Sequence, residues 1–163
     1  MSSDAKDVRT ILVRGAREVA RRDGSRTIEA EHVLLALAAM ENNPAARLLS
    51  EAGLTEDGIR AALDREWEHS LAIAGIAVRI GLLPEATPDH SRDPQIGESV
   101  RLLLKRALDA EPRVGGTRIG SVRILVGILD SDRSRVARAL QTANVDRAAL
   151  RARAAEALAE GVR

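Results

Sequence analysis

Residues Thr27–Leu37, TIEAEHVLLAL, decide how the rest of the chain is read. Val33-Leu34-Leu35-Ala36-Leu37 is apolar nearly all round, the mark of a helix buried on every side rather than an amphipathic surface helix. Glu29 and Glu31 lie ahead of that run, where a helix N-terminus carries partial positive charge. The stretch therefore reads as a helix start followed by a buried helix. A degenerate copy returns 91 positions later as Arg118–Ile128, RIGSVRILVGI.

The same offset holds well beyond these two segments. Without gaps it aligns Leu12 with Leu103, Ala16 with Ala107, Gly24 with Gly115, Ile28 with Ile119, Leu34 with Leu125 and Leu49 with Leu140. Gly53 falls on Asn144, and these are the two residue types that best tolerate a left-handed helix end. The matches land on expected core positions and helix stops, as two copies of one four-helix unit require. The expected fold is all-α, about eight helices in a duplicated four-helix repeat with pseudo-twofold symmetry. The expected organisation is one domain over 1–163, with repeat one at about 6–64, a connector at about 65–95 and repeat two at about 96–160.

Composition supports a globular chain without aromatic support. Of 163 residues 45% are hydrophobic and 30% charged, with one Trp and no Phe or Tyr. The core must therefore be Leu, Ile, Val and Ala, which suits closely packed helices. The formal charge is +1 with both signs interspersed, which argues against a nucleic-acid footprint. There is no Cys, so disulfides and thiolate metal sites are excluded. No run approaches the roughly 20 apolar residues of a membrane span, and MSSDAKDVRT has no apolar signal core. The cytoplasm is the expected compartment, with no membrane or nucleic-acid partner.

Element by element, apolar positions Val8, Ile11, Leu12, Ala16, Val19 and Ala20 predict a first helix from about Lys6 to Arg22, with Asp4 as a cap and Gly24 as the stop. The central helix follows at about Glu29–Met40. Pro44 opens a third helix that ends at Gly53. Thr55-Glu56-Asp57 caps a fourth, continuing through Trp67. The run His69–Arg79 reads as helix to about Ala74 and then a turn, with a short strand as the other reading. Leu83 to Pro94 is a connector. In the second half Val100, Leu103, Leu104, Ala107 and Leu108 predict one helix face ending before Pro112. Gly115-Gly116 is a turn, Ile119–Leu129 the central helix and Arg133–Thr142 a short one, with Asn144 as its stop. Asp146 then caps a last helix to about Glu160.

On these residues the chain resembles the N-terminal, Clp repeat domain of Clp-type AAA+ unfoldases. That family's pattern is an Ala-Arg first helix, then I-G-T-E-H-I-L-L-G-L, then an A-x(2)-L-L third helix ending at Gly. Here the first copy reads Ala16-Arg17, Ile28–Leu37, Ala45-Ala46-Arg47-Leu48-Leu49 and Ala52-Gly53. The second reads Ile119–Ile128, Val136-Ala137 and Leu140. The resemblance covers roughly residues 6–158. With its long 65–95 region, the chain looks like the small free-standing Clp N-domain proteins of actinobacteria.

The resemblance implies a non-catalytic module that binds protein or peptide: a Clp unfoldase or peptidase, or its clients, bound by an adaptor or decoy in Clp-dependent proteolysis. A stand-alone small-molecule or regulatory sensor that reuses the groove between the repeats is the alternative. No cofactor is implied. The P-loop pattern G-x(4)-G-K-[ST] does not occur; Gly115–Ser121 comes nearest and lacks its lysine. Some family members bind phosphoarginine at two equivalent pockets, where a helix N-terminus holds the phosphate and a Glu pairs with the guanidinium. By resemblance the degenerate remnants of those pockets are Glu31, His32 and Ser121. Ala30 stands where the first copy's hydroxyl would be. In the second, Val122 replaces the carboxylate and Arg123 the His.

Each of these residues also has a plainer reading. Glu31 is a first-turn acid that favours the helix dipole. His32 is a partly buried His, hydrogen-bonded near the helix start, rather than a metal or acid–base group. Trp67, in Glu66-Trp67-Glu68-His69, either anchors a partner or covers the joint between core and connector. No metal or catalytic constellation stands out.

Overall fold

The computed structural model describes residues 10–110 and 119–160. The expected Asp4 cap, the helix start at Lys6 and the Gly115-Gly116 turn lie outside them. Helix α1 opens as a π-helix, Thr10–Ala16, and continues as α-helix over Arg17–Arg22. The others are α2 Ala30–Ala38, α3 Pro44–Glu51, α4 Glu56–Ile73, α5 Glu98–Asp109, α6 Ser121–Leu129, α7 Arg135–Thr142 and α8 Arg147–Glu160. The starts of α2, α3 and α4 lie 91 positions before those of α6, α7 and α8. The duplication is thus present in the fold, which among the described residues is all-α apart from two short strands.

Local chemistry explains the boundaries. The Asn43 side chain accepts from the N–H groups of Ala45 and Ala46 at the start of α3, with Pro44 behind it. Its counterpart Ser134 accepts from Ala137 N–H at 3.0 Å. Thr55 and Asp146 cap α4 and α8 in the same manner. Gly53 and Asn144 take φ of 75° and 55°, the left-handed stops of α3 and α7.

The two central helices form the core. Val33–Leu37 of α2 and Ile124–Leu129 of α6 are buried throughout. They touch each other, while α1 packs on α2 and α5 on α6. The α5/α6 crossing is close because Gly127 has no side chain: a Cβ there would lie 2.4 Å from Leu103 O. On α5, Val100, Leu103 and Ala107 are buried as expected, but Leu108 is exposed. At 100° per residue Leu108 points well away from Leu103, outside the arc that α6 covers.

One feature meets the expected layout and another departs from it. Helix α4 runs through Ile73, matching the expected end near Ala74, so the start of the 65–95 connector is helical. Its sequence has no breaker until Gly75, which adopts φ 81°, and Ile76 N–H closes the end on Leu71 O at 2.9 Å. Thr27 and Ile28, read as the approach to a helix, form strand β1, Thr27–Ile28, paired in parallel with β2, Gln95–Ile96. The segment before β2 lies against the end of α1, where Asp89 N–H bonds Arg21 O at 3.0 Å and Arg21 Nε bonds Arg92 O at 2.8 Å. Among the described residues no helix is long and apolar enough to cross a membrane.

Candidate functional site

The N-terminus of α2 carries Glu31 and His32, and its polar groups are engaged with the rest of the chain. Glu29 N–H donates to His32 Nδ1 at 2.8 Å. Ala30 N–H donates to the hydroxyl of Ser99, at 2.8 Å, and that hydroxyl donates in turn to the Glu29 carboxylate. Ser99 therefore supplies, from α5, the hydroxyl that Ala30 lacks. Two of the orphan N–H groups of the helix start are satisfied in this way. The Glu29 carboxylate fits here because Gly97 has no Cβ; one would stand 2.0 Å from Glu29 Oε1.

His32 is 6% exposed. Burial pushes its pKa down, against the pull of Glu31, Asp23 and Glu29. Its Nδ1 accepts, which assigns the proton to Nε2. That nitrogen faces Asp23 Oδ2 at 3.7 Å, and Asp23 also accepts from Arg60 at 3.2 Å. A neutral His with Nδ1 engaged fits the reading of His32 as a structural residue. Among the described residues no three His, Asp or Glu side chains are grouped to hold a metal.

Glu31 does more than face the helix dipole. Its Oε1 accepts from Arg135 Nη1, at 3.0 Å, across the repeat boundary. Arg135 Nε also lies 3.4 Å from Glu66 Oε2, and Arg138 Nε donates to Glu66 Oε1 at 2.7 Å. The Ser70 hydroxyl donates to the same oxygen at 2.7 Å. A continuous chain Glu31–Arg135–Glu66–Arg138 thus links α2 and α4 of one repeat to α7 of the other. Glu66 is buried, and burial opposes its ionisation. The hydrogen bonds from Arg138 and Ser70, with the charges of Arg138 and Arg135, outweigh that and hold its pKa below the usual value.

Sequence reasoning missed Arg135, Arg138, Glu66 and Ser99. Two signals were present for the first three. Arg135 and Arg138 stand in the first turn of a helix, where the dipole disfavours cations. Glu66 continues the apolar stripe Ile59, Ala62, Leu63 at helical spacing, so an acid there is buried and needs a partner. Ser99 offered no such signal, because its partners lie 69 and 70 positions away.

The equivalent place in the second repeat is built differently. Ser121 is buried as the first residue of α6. Val122 is packed against the core, and Arg123 Nη1 donates to Ala110 O at 2.6 Å, past the last turn of α5. A cation there complements the C-terminal end of α5. The second site thus places an arginine, already bonded to its own chain, where the first has His32. The structure groups Glu31 with His32 on α2 and sets Ser121 on α6. Trp67, next to Glu66 on α4, is 45% exposed.

A cleft of about 480 Å³ runs between the repeats. Its lining comes in equivalent pairs: Gly53 with Asn144, Leu54 with Val145, Gly58 with Ala149. It follows the pseudo-twofold relation, and an Arg153–Glu51 ion pair joins the repeats beside it.

A family model described as the Clp repeat (R) N-terminal domain matches residues 7–143. The chain belongs to that family. Its fold is similar to that of the N-terminal domain of the caseinolytic protease associated chaperone ClpD from Arabidopsis thaliana, at a TM-score of 0.63 and 22% identity over 93% of each chain. A structure from preliminary structural investigations of a malarial protein secretion system is similar at a TM-score of 0.60 and 18% identity, over 90% of this chain and 88% of that one. Clp N-domains are in general the protein- and substrate-binding modules of Clp chaperones.

Proposed function

We propose that this chain is a non-catalytic protein- or peptide-binding module that serves Clp-dependent proteolysis in the cytoplasm as an adaptor or decoy. The observation that carries the reading is the match of the Clp repeat N-terminal domain model to residues 7–143, with the polar groups around the start of α2 and at Glu66 engaged within the chain. His32, Glu29, Glu31 and Glu66 each hold another group of this chain, so none of them is set out as a free acid, base or nucleophile. Recognition must then rest on surfaces rather than on a reactive centre. In this reading Arg135 fills the position at Glu31 that an external guanidinium would take, and phosphoarginine recognition is not the resting activity. Trp67 is the candidate partner contact, because an exposed Trp brings a large apolar area at little entropic cost.

The test is capture from a native lysate of the source organism on the immobilised chain, with the Trp67→Ala variant beside it. Recovery of a Clp unfoldase, its peptidase or enriched clients, reduced by the substitution, is the expected result. Recovery of none of these with the wild type refutes the reading. The inter-repeat cleft of about 480 Å³ favours one alternative, a small-molecule sensor. Thermal stabilisation by a small ligand, with no response to peptides, would establish that alternative instead.

A further inference from the structure

One face of α4 and the segment after it form a groove that the polar chain described above does not use. Arg65, Glu68, His69 and Ala72 share one stripe of α4, at i, i+3, i+4 and i+7. The chain turns back at Gly75 and runs beside that stripe, bordering an open, shallow groove of about 870 Å³. Val78, Leu82 and Leu83 give the groove its apolar side. Leu82 is 82% exposed, so the core does not account for its presence.

The walls are fixed by hydrogen bonds. Ile76 N–H bonds Leu71 O at 2.9 Å, and Ile80 N–H bonds Glu68 Oε1 at 2.6 Å. A 3₁₀ turn over Ile80–Leu82 follows, with Leu83 N–H on Ile80 O at 2.8 Å. The turn holds Leu82 and Leu83 outward as adjacent exposed apolar side chains.

The groove lining carries two guanidinium groups and one carboxylate. Glu68 is the carboxylate among its lining residues, and Ile80 N–H already engages it. Arg65 and Arg79 line the groove, and among the described residues neither forms an ion pair. Elsewhere Arg60, Arg138 and Arg151 each hold a carboxylate. Two guanidinium groups outside any ion pair among the described residues, beside an apolar floor, set the chemistry of what can lie there.

We propose that this groove receives an amphipathic peptide segment of a partner protein. Its apolar side chains lie against Val78, Leu82 and Leu83, and its Asp or Glu side chains on Arg65 and Arg79. The inference rests on the reading of the chain as a protein-binding module and names the surface and the partner's chemistry. It is the helix-in-groove mode of recognition, with acid–arginine pairs fixing the register.

Fluorescence anisotropy on the full 163-residue chain tests it with three labelled synthetic probes: a Leu/Glu amphipathic peptide, its Leu/Lys counterpart, and a scrambled Leu/Glu peptide of the same composition. The Leu/Glu peptide should bind about tenfold or more tighter than either control. Arg65→Glu with Arg79→Glu should reverse the preference between Glu and Lys, and Leu82→Ser with Leu83→Ser should weaken both. These side chains are exposed, so circular dichroism should be unchanged. Equal affinity for the Glu and Lys peptides overturns the proposal, as does equal binding of the scrambled probe or indifference to the charge reversal. Self-association that blocks the groove overturns it too, by making a second copy the occupant. Capture of Clp components that survives the charge reversal refutes the groove and keeps the module. Peptide binding without Clp capture refutes the Clp assignment and keeps the groove.

Discussion

Replacing Glu66 by Ala tests whether the polar chain between the repeats holds them together. The carboxylate side chain is 4% exposed and accepts from Arg138 and Ser70, both at 2.7 Å. A hydrogen bond to a charged group contributes ~1.5–3 kcal/mol. Removing one member of a fully buried pair costs more, ~3–5 kcal/mol, because the other charge is stranded. That limit is not reached here: the Arg138 side chain is 52% exposed and can turn to water. The expected cost is therefore about 2 kcal/mol. On a chain of this size that lowers Tm by about 4–8 °C.

The pH dependence gives a sharper check than the magnitude. The pKa of Glu66 is lower in the fold than in the unfolded chain. Its contribution is then fully present above the unfolded value of about 4.3 and is lost as pH falls through the folded value. Thermal unfolding of wild type and Glu66→Ala, followed by circular dichroism, should show a Tm gap at neutral pH that closes on acidification. Glu66→Ala combined with Arg138→Ala should cost less than the two changes summed. A gap below about 0.5 kcal/mol at neutral pH, a gap that persists in acid, or strict additivity would refute the reasoning.

Other consequences can be measured with the same instruments. Because burial keeps His32 neutral, wild type should lose stability as pH falls through the unfolded His value of about 6.5, and His32→Gln should lose less; parallel curves would contradict this. Arg135→Ala should cost under about 1 kcal/mol, since that side chain is partly exposed, and should release Glu31. Phosphoarginine titration should then show binding by Arg135→Ala that Glu31→Ala with Arg135→Ala lacks; equal responses would show that Arg135 does not guard the site. Asn144→Ala should destabilise by about 1 kcal/mol through its positive φ, whereas Asn144→Gly should be nearly neutral in a denaturant titration. Gly127→Ala should cost ~1–3 kcal/mol, because a Cβ would meet Leu103 O at 2.4 Å and Ala107 N at 3.1 Å.

What was legible in the sequence was local. The starts of α3, α4, α7 and α8 are set by Asn43, Thr55, Ser134 and Asp146, each acting within three residues. The buried α2 and α6 follow from runs too apolar to face water. Pairings made by residues distant in sequence left little trace. Strands of two residues, β1 and β2, have no period to detect, and their register joins Thr27 to Gln95. The Glu31–Arg135 bond spans 104 positions. The end of α4 could be read because Gly75 is local. Of the polar face that α4 turns to α7, the sequence marks Glu66 as a buried acid in need of a partner, but that partner, Arg138, lies 72 positions away.

The duplication explains where such long-range features gather. Core positions of the two repeats match, since both copies must fill the same interior: Leu12 and Leu103, Leu34 and Leu125, Leu49 and Leu140 are all buried. The polar chain has no such symmetry. The positions equivalent to Glu31, Arg135 and Glu66 are Val122, Pro44 and Ala157, and none of them can carry an ion pair. Helix α4, at 18 residues, outruns α8, at 14 among the described residues, and the groove lies along that longer helix. A symmetric core with no free polar groups would give two equal faces and no reason to prefer one. Breaking the symmetry on the α4–α7 side puts the buried charges, the exposed Trp67, Arg65 and Arg79 on the same helix pair or beside it. Substitutions along α4 should therefore alter partner binding more than those at the equivalent positions of α8. Alanine substitutions at Arg65 and at its counterpart Glu156, assayed with the same Leu/Glu peptide, provide the comparison. An equal loss from both would mean that the two halves still act as equivalent binding faces.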